Sequence, residues 1–225
     1  MNKSLTTLVL FLLVKTLFAQ ELYVSVGKNY TSYSNSNSNN DLLQSSNKLS
    51  DPGNSYELGV VFNKKKPKIA YSVGVTVNEF NASYALNASP VRFAWHTQYI
   101  GIQNSFLFEL SKRENLNEIK NSKSSDNSTL VNKFKVFAKL GLNTALLING
   151  NLDASGVHYL LKNNPDYNDL IFQPFTGLQV MYPISQNCKF NAGYQISVAT
   201  IGKEVGNTFN YINHSVQVGI NLSLN

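Results

Sequence analysis

The chain has 225 residues and a formal net charge of +6, yet only 14% of its residues are charged, against about 25% in an average soluble domain. Its basic residues are spread along the sequence apart from two short clusters. We therefore expect no nucleic-acid partner, which would need a concentrated basic face. The single cysteine, Cys188, excludes an internal disulfide and a cysteine-based zinc cluster.

The first twenty residues, MNKSLTTLVLFLLVKTLFAQ, combine an early lysine, an apolar run and a small residue at Ala19. This is the pattern of a secretory signal peptide. Lys15 leaves the apolar run shorter than the ~20 residues that a spanning helix needs. We therefore expect residues 1–19 to be a cleaved signal peptide and residues 20–225 to form one exported domain.

Strict alternation of apolar and polar residues recurs along the rest of the chain. It is clearest in KFKVFAKLGLNTALLI (133–148), where Lys135 and Lys139 share one face while Leu140 and Leu142 share the other. A period of two is the signature of a β-strand with two different faces. The pattern predicts about eight strands, at residues 22–27, 56–62, 69–78, 91–110, 133–148, 172–183, 189–198 and 214–225.

The two faces of these strands differ in a way that predicts a membrane barrel. The polar faces hold many glycines together with Glu57, Gln179, Gln195 and Gln217, and such residues fit the narrow interior of an eight-stranded barrel. The apolar faces would then meet lipid, where an open sheet would leave its edge groups unpaired. We predict an all-β fold, an eight-stranded antiparallel up-and-down transmembrane β-barrel, filled inside and without an aqueous channel. A soluble β-sandwich with the same alternation is the alternative.

The sequence also supports predictions for the connections and the strand ends. Long connections at 35–55 and 149–169 and medium ones at 81–90 and 201–210 alternate with short turns, as in outer-membrane barrels with long outer loops. The connection 111–130 breaks this rule, since it is long but falls on the periplasmic side. A β-bulge is expected near residues 95–99, where the apolar parity changes. Aromatic residues near strand ends are predicted to form girdles at the membrane interfaces: Tyr56, Phe62, Tyr71, Phe93, Trp95, Phe106, Phe134, Phe172, Tyr182 and Tyr211.

Few residues suggest a catalytic or metal-binding site. His96, His158 and His214 share no metal-ligand spacing, and adjacent residues such as His214 and Ser215 point to opposite faces of a strand. Asp153, Ser155 and His158 share one loop and could converge, which leaves a hydrolase as an alternative.

Four charged residues are expected inside the barrel. Glu57, Glu109, Lys135 and Lys139 are predicted to form a lumenal charge network with a structural role, because unpaired charges are costly there. We expect no catalytic residue, no metal ligand and no cofactor.

Three stretches resemble a known family, the small porin-like outer-membrane β-barrels common in Bacteroidetes. YIGIQNSFLF (99–108) resembles a conserved strand of that family, KFKVFAKLGLNTALLI another, and GLQVMYPISQNCKFNAGYQISV (177–198) one of its hairpins. Gly101 and Gln103 stand where the family usually has Glu and Pro.

This resemblance implies a fold and a location in the outer membrane, and no catalytic residues. The implied partners are outer-membrane lipid and lipopolysaccharide, the barrel-assembly machinery and an unidentified protein at the loops. The expected function is non-enzymatic, in adhesion, envelope integrity or partner docking, with a secretion-associated role open because some family members assist type IX secretion. A hydrolase near His158 and a secreted soluble β-protein that binds a ligand remain the alternatives.

Overall fold

The computed structural model describes residues 21–35, 46–49, 51–62, 68–86, 92–111, 135–165, 167–204 and 207–224. The expected signal peptide, Phe134 and most of the connection 111–130 lie outside the described residues. Within those ranges the strands are β1 (Glu21–Asn35), β2 (Ser46–Leu49), β3 (Gly53–Phe62), β4 (Ile69–Leu86), β5 (Arg92–Glu109), β6 (Lys135–Ala154), β7 (Val157–Leu160), β8 (Leu170–Pro183), β9 (Cys188–Glu204) and β10 (Asn207–Ser223). In the described part of the chain no helix is long and apolar enough to cross a membrane.

Eight of these strands close into a ring. Each pairs antiparallel with the next in the order β1-β3-β4-β5-β6-β8-β9-β10, and β10 returns to β1 along its length, from Glu21 opposite Ser223 to Asn35 opposite Phe209. The fold is therefore an all-β, eight-stranded antiparallel up-and-down barrel, as predicted. Two short strands extend it at one end, where β2 pairs with β4 and β7 pairs with β6. We call this end, which contains Asn35 and Ala154, the loop end, and the opposite end, with Pro183 and Cys188, the turn end.

The strands are longer at the loop end than the sequence pattern predicts. Residues 81–86, 149–154 and 201–204 were expected in connections but belong to β4, β6 and β9. The two medium connections expected at 81–90 and 201–210 are therefore wrong in their bounds, because β4 runs to Leu86 and β9 to Glu204. The physical reason is a cluster of buried aromatic side chains at this end of the lumen, which gives the added strand residues a core to pack against.

The interior has three layers. The turn-end cluster is apolar and consists of Tyr23, Val61, Ala70, Leu107, Phe137 and Met181. The loop-end cluster is larger and mostly aromatic, and consists of Tyr33, Phe80, Ala82, Tyr84, Trp95, Tyr99, Ala145, Leu147, Leu161, Ile171, Ala199, Ile201 and Tyr211. Between them, a layer of Asn, Gln, Ser and Thr side chains is buried. The lumen is therefore filled by side chains rather than open.

The expected β-bulge lies in the neighbouring strand. Gln98 on β5 is opposite Asn149 on β6, whereas Tyr99 is opposite Leu147, so Ile148 is the extra residue. The alternation of β5 itself continues without a break. The prediction of a bulge within residues 95–99 is therefore wrong in its strand, because a bulge inserts its extra residue into only one member of a pair.

Candidate functional site

The outer face of the barrel carries an apolar belt, which a few polar side chains such as Asn104, Thr176 and His214 interrupt. On β10 it runs from Ile212 to Leu222, and about ten residue steps of ~3.3 Å each, tilted by about 40°, give a height of ~25 Å, the height of an outer-membrane apolar band. The exposed members of the belt include Leu22, Val24 and Val26 on β1, Leu58 on β3, Val75 on β4, Ile100, Ile102 and Phe106 on β5, Leu140, Leu142 and Leu146 on β6, Phe172, Leu178 and Val180 on β8, Phe190, Ile196 and Val198 on β9, and Val216, Val218 and Ile220 on β10.

The predicted aromatic girdle is only partly present. Near the turn end, Phe62, Tyr71 and Phe106 lie on the outer face in ring contact, with centroid distances of 6.2 Å and 5.3 Å. Three predicted members behave differently: Trp95 and Tyr211 are buried, and Phe93 packs against the loop-end cluster. The girdle assignment is wrong for these three, because the strands continue past the belt and their aromatic residues seal the lumen instead.

The loop-end cluster is held together by aromatic contacts. Tyr33 stacks on Trp95 at a centroid distance of 5.3 Å and meets the edge of Tyr211 at 6.0 Å. Tyr99 donates a hydrogen bond of 3.4 Å to the hydroxyl of Tyr167, which lies outside the strands. Burial raises the pKa of Tyr167 well above its ordinary value, so this hydroxyl stays protonated at physiological pH.

The polar layer is joined by side-chain hydrogen bonds between neighbouring strands. Asn213 donates to Asn29 at 3.2 Å, and Asn143 donates to Gln173, which in turn donates to Ser197 at 2.6 Å. These residues are distant in the sequence and lie on different strands. Neutral amides satisfy one another here, so most of the buried layer is polar without being charged.

One buried ion pair lies within this layer. Lys139 Nζ is 3.5 Å from Glu57 Oε2, and the two side chains are 10% and 1% exposed. Glu57 also accepts hydrogen bonds from the Tyr23 hydroxyl (2.5 Å) and from Gln103 Nε2 (2.7 Å). The ammonium group of Lys139 lies 5.6 Å from the centre of the Phe175 ring. The carboxylate is therefore compensated by a cation and two neutral donors.

The other two residues of the expected network form a separate pair at the turn end. Lys135 Nζ lies 3.4 Å from Glu109 Oε1, and the Lys135 side chain is 55% exposed. Both residues line a cavity of about 140 Å³, together with a second ion pair, Lys189 with Glu21. The sequence reading missed Glu21, because its strand and that of Lys189 are not neighbours and no pattern along one strand reveals a contact across the lumen.

The lumen leaves little free space at the level of the Glu57–Lys139 pair. The cavity beside Lys139 measures about 20 Å³, which is room for about one water molecule. An aqueous pathway would have to cross this level and both apolar clusters. The geometry of the described residues therefore gives no support to a pore.

The residues considered for catalysis are not assembled into a triad. Asp153 and His158 face each other across the β6–β7 hairpin and are in contact, but the His158 side chain is 79% exposed. Ser155 lies at the tip of the hairpin with φ 51°, and no hydrogen bond joins it to His158 within the described residues. His214 lies on the outer face and is hydrogen-bonded to Tyr194 (2.6 Å), whereas Ser215 is buried inside, which confirms that the two point to opposite faces. Across the described ranges, no three His, Cys, Asp or Glu side chains are grouped to hold a metal ion.

Comparisons with known proteins find similar structures but no similar sequences. No protein-family model matches the chain, and no curated protein matches it significantly. Neisserial surface protein A (NspA) is 14% identical, with 90% of this chain and 97% of that chain covered and a TM-score of 0.45. The attachment invasion locus protein Ail of Yersinia pestis is 10% identical, with 91% and 99% covered and a TM-score of 0.39. The outer membrane protein OprG from Pseudomonas aeruginosa is 12% identical, with 91% and 95% covered and a TM-score of 0.42. At these values the likeness does not extend function from those proteins to this chain.

Proposed function

We propose that the protein is an integral outer-membrane β-barrel whose role is non-enzymatic. The observation that carries this proposal is the inverted polarity of the barrel wall. Leu58 and Ile102 are each 55% exposed on the outer face, whereas Asn143 and Asn213 are 2% and 1% exposed inside. A soluble barrel or sandwich of this size would bury the first pair and expose the second, because its core must be apolar. The belt height of ~25 Å fits the hydrocarbon thickness that such barrels span.

The membrane position is supported by how the polar residues end the belt. On the outer face of β1, Lys28 is the next side chain after Val26, and it donates a hydrogen bond of 2.7 Å to Asn54 on β3. Asn54 in turn donates to Glu79 on β4 at 2.7 Å. These outward polar groups are joined across three strands on the loop-end side of the apolar residues.

A surface role follows from the filled lumen. With the interior occupied, the parts available to a partner are the outer face and the loop end. There the β6–β7 hairpin extends beyond the barrel with Tyr159 51% and Leu160 75% exposed. We propose that the loop end faces the cell exterior and serves in adhesion, envelope integrity or docking of a protein partner, with a secretion-associated role included. Lipopolysaccharide around the belt and the barrel-assembly machinery are the further proposed partners.

Membrane integration is tested by fractionation and gel mobility. The full chain is produced in a Gram-negative host, the envelope is extracted with alkaline carbonate, and the pellet is run with and without boiling. We expect the protein in the pellet, with a band that shifts on boiling because a folded barrel migrates differently from its unfolded chain. A protein recovered in the carbonate supernatant without a band shift would contradict the proposal.

Orientation is tested by labelling intact cells. In a Cys188→Ala background, Tyr159→Cys reports the loop end, and Ile184→Cys, whose native side chain is 59% exposed, reports the turn end. A membrane-impermeant maleimide should label position 159 on intact cells and position 184 only after the outer membrane is permeabilised. Labelling in the opposite order would show that the loop end faces the periplasm.

A further inference from the structure

The cavity at the turn end of the lumen has an apolar floor and a charged rim. Its volume is about 140 Å³. The floor includes Leu107, Phe137 and Met181 of the turn-end cluster, which are 2%, 9% and 6% exposed. Five charged residues also line the cavity, and they come from different parts of the wall: Glu21, Lys68, Glu109, Lys135 and Lys189. We call this space the turn-end cavity.

The alternation of the strands explains why the charges lie above the floor. Lys68 precedes Ala70 by two residues, and Lys135 precedes Phe137 by two residues. Residues two apart on a strand point to the same side and lie about 7 Å apart along it. Glu109 follows Leu107 in the same way, one step closer to the turn end. Each of these charged side chains is therefore the next lumenal residue beyond an apolar one.

Both carboxylates on the rim already have partners. Lys135 Nζ lies 3.4 Å from Glu109 Oε1. Glu21 pairs with Lys189 and also accepts a hydrogen bond of 3.1 Å from Asn221. Two of the three lysines are thus committed to the two carboxylates, which leaves the third lysine to be accounted for.

Lys68 is that third lysine. Its backbone carbonyl oxygen accepts a hydrogen bond of 2.8 Å from the Glu109 amide, so its backbone is held next to β5. Among the described residues, no carboxylate lies within ion-pair distance of its ammonium group. Three lysines against two glutamates leave the rim with one uncompensated positive charge. An anion at the rim would therefore pair with Lys68 without displacing an existing pair.

The size and lining of the turn-end cavity limit what could accompany this anion. An apolar cavity of about 150 Å³ holds one benzene molecule, and the turn-end cavity is close to that volume. A charged group on the floor would lose its hydration without gaining a partner. The apolar part of a ligand therefore belongs below, and its charged group belongs at the rim.

We propose that the turn-end cavity binds a small monocarboxylic acid whose apolar part is about the size of a benzene ring. The apolar part lies against Leu107, Phe137 and Met181, and the carboxylate pairs with Lys68. A dicarboxylate fits less well, because the rim has one uncompensated charge. The inference goes beyond the proposed function, since the turn-end cavity lies at the end opposite to the proposed surface role and does not depend on it.

The test uses 3-(4-fluorophenyl)propanoate as the probe, followed by ¹⁹F NMR, and the corresponding alcohol as its uncharged control. The barrel is reconstituted in nanodiscs of zwitterionic lipid, and protein-free nanodiscs correct for partition into lipid. Lys68→Gln removes the uncompensated cation, and Lys28→Gln is its control, because Lys28 is exposed on the outer face. Ala70→Leu fills part of the floor, and Val75→Leu is its control, because Val75 points outward on the same strand with 52% exposure.

We expect saturable binding of the propanoate, about 2- to 5-fold weaker in Lys68→Gln, the range for one ion pair that remains partly in water. Lys28→Gln should bind as the unchanged barrel does. The alcohol should bind equally to the unchanged barrel and to Lys68→Gln, because it has no charge to lose. Binding should be lost in Ala70→Leu and persist in Val75→Leu.

Three results would overturn the site. A probe signal identical to that with protein-free nanodiscs would show partition into lipid only. Equal affinity of the propanoate for Lys68→Gln and Lys28→Gln would remove the ion pair, and unchanged binding in Ala70→Leu would place the ring elsewhere. Each variant is first checked for the boiling-dependent band shift, so that failure of the barrel is distinguished from failure of the site.

Discussion

Substitution of the buried pair of Glu57 and Lys139 is the most direct test of the packing inside the barrel. The Glu57 and Lys139 side chains are 1% and 10% exposed, so a charge whose partner is removed stays largely out of contact with water. Breaking a buried pair on one side costs about 3–5 kcal/mol, whereas replacing both partners by neutral residues is often close to neutral. We therefore expect Lys139→Met and Glu57→Gln each to lower the free energy of unfolding by about 3 kcal/mol or more, and the double variant to lose much less than their sum.

The assay is urea unfolding in lipid bilayers, followed by the emission of Trp95, which is the single tryptophan of the chain. Lys135→Met is the matched control, because its partner Glu109 lies at the turn end and the lysine is 55% exposed. An exposed pair is worth about 0–1 kcal/mol, so this variant should be nearly neutral. If the two single variants at the buried pair cost less than about 1 kcal/mol and their effects add, the carboxylate is not confined as described.

Three further predictions concern the wall and the interior. Leu140→Arg, on the belt, should cost about 2–4 kcal/mol in bilayers, whereas Leu160→Arg on the exposed hairpin should change stability by less than ~0.5 kcal/mol; equal costs in urea unfolding would refute the assignment of the belt. Brominated lipid chains should quench the emission of Trp95 only weakly, because this residue is 6% exposed and lies inside the barrel. Strong quenching would show that Trp95 faces the lipid as part of a membrane girdle. Gly141→Ala should lower the free energy of unfolding by about 1–3 kcal/mol, because a Cβ there would overlap the Asn104 carbonyl oxygen. Gly193→Ala is the control, because the nearest atom to a Cβ at that position is 3.3 Å away. Equal melting temperatures for Gly141→Ala and Gly193→Ala would refute this packing.

The faces of the strands could be predicted from sequence because alternation is a local property. Lys139 and Leu140 are adjacent, and the pattern around them suffices to send one into the lumen and the other outward, as the structure has them. Strand number and closure follow from the same reasoning, since a sheet with one apolar face in lipid has to remove its edges. The local pattern also identified Glu57 as an inward charge, although not which lysine would meet it.

The errors arise where the fold depends on contacts between distant strands. Trp95 and Tyr211 look like girdle aromatics by type and position near strand ends, yet each lies inside with Tyr33, a residue of a third strand. The sequence pattern of a single strand cannot predict that three strands extend together past the belt. The bulge was predicted in β5 and lies at Ile148 of β6 for a related reason. A change in apolar alternation indicates that the pairing of two strands shifts, but only the register between them shows which strand carries the extra residue.

The layered interior also bears on where function can lie. Apolar clusters lie on both sides of the polar layer and limit its contact with water. A lower local dielectric strengthens the hydrogen bonds and the charge pair within it. A lumen arranged in this way resists the opening that transport through its centre would require, since each displaced amide would lose a partner without gaining water. The ladder between β8 and β9 is the contrasting feature, because it ends at Phe175 opposite Ser197. The residues of β8 that precede Phe175 therefore lack a partner on β9, which costs stability where lipid cannot supply the missing hydrogen bonds.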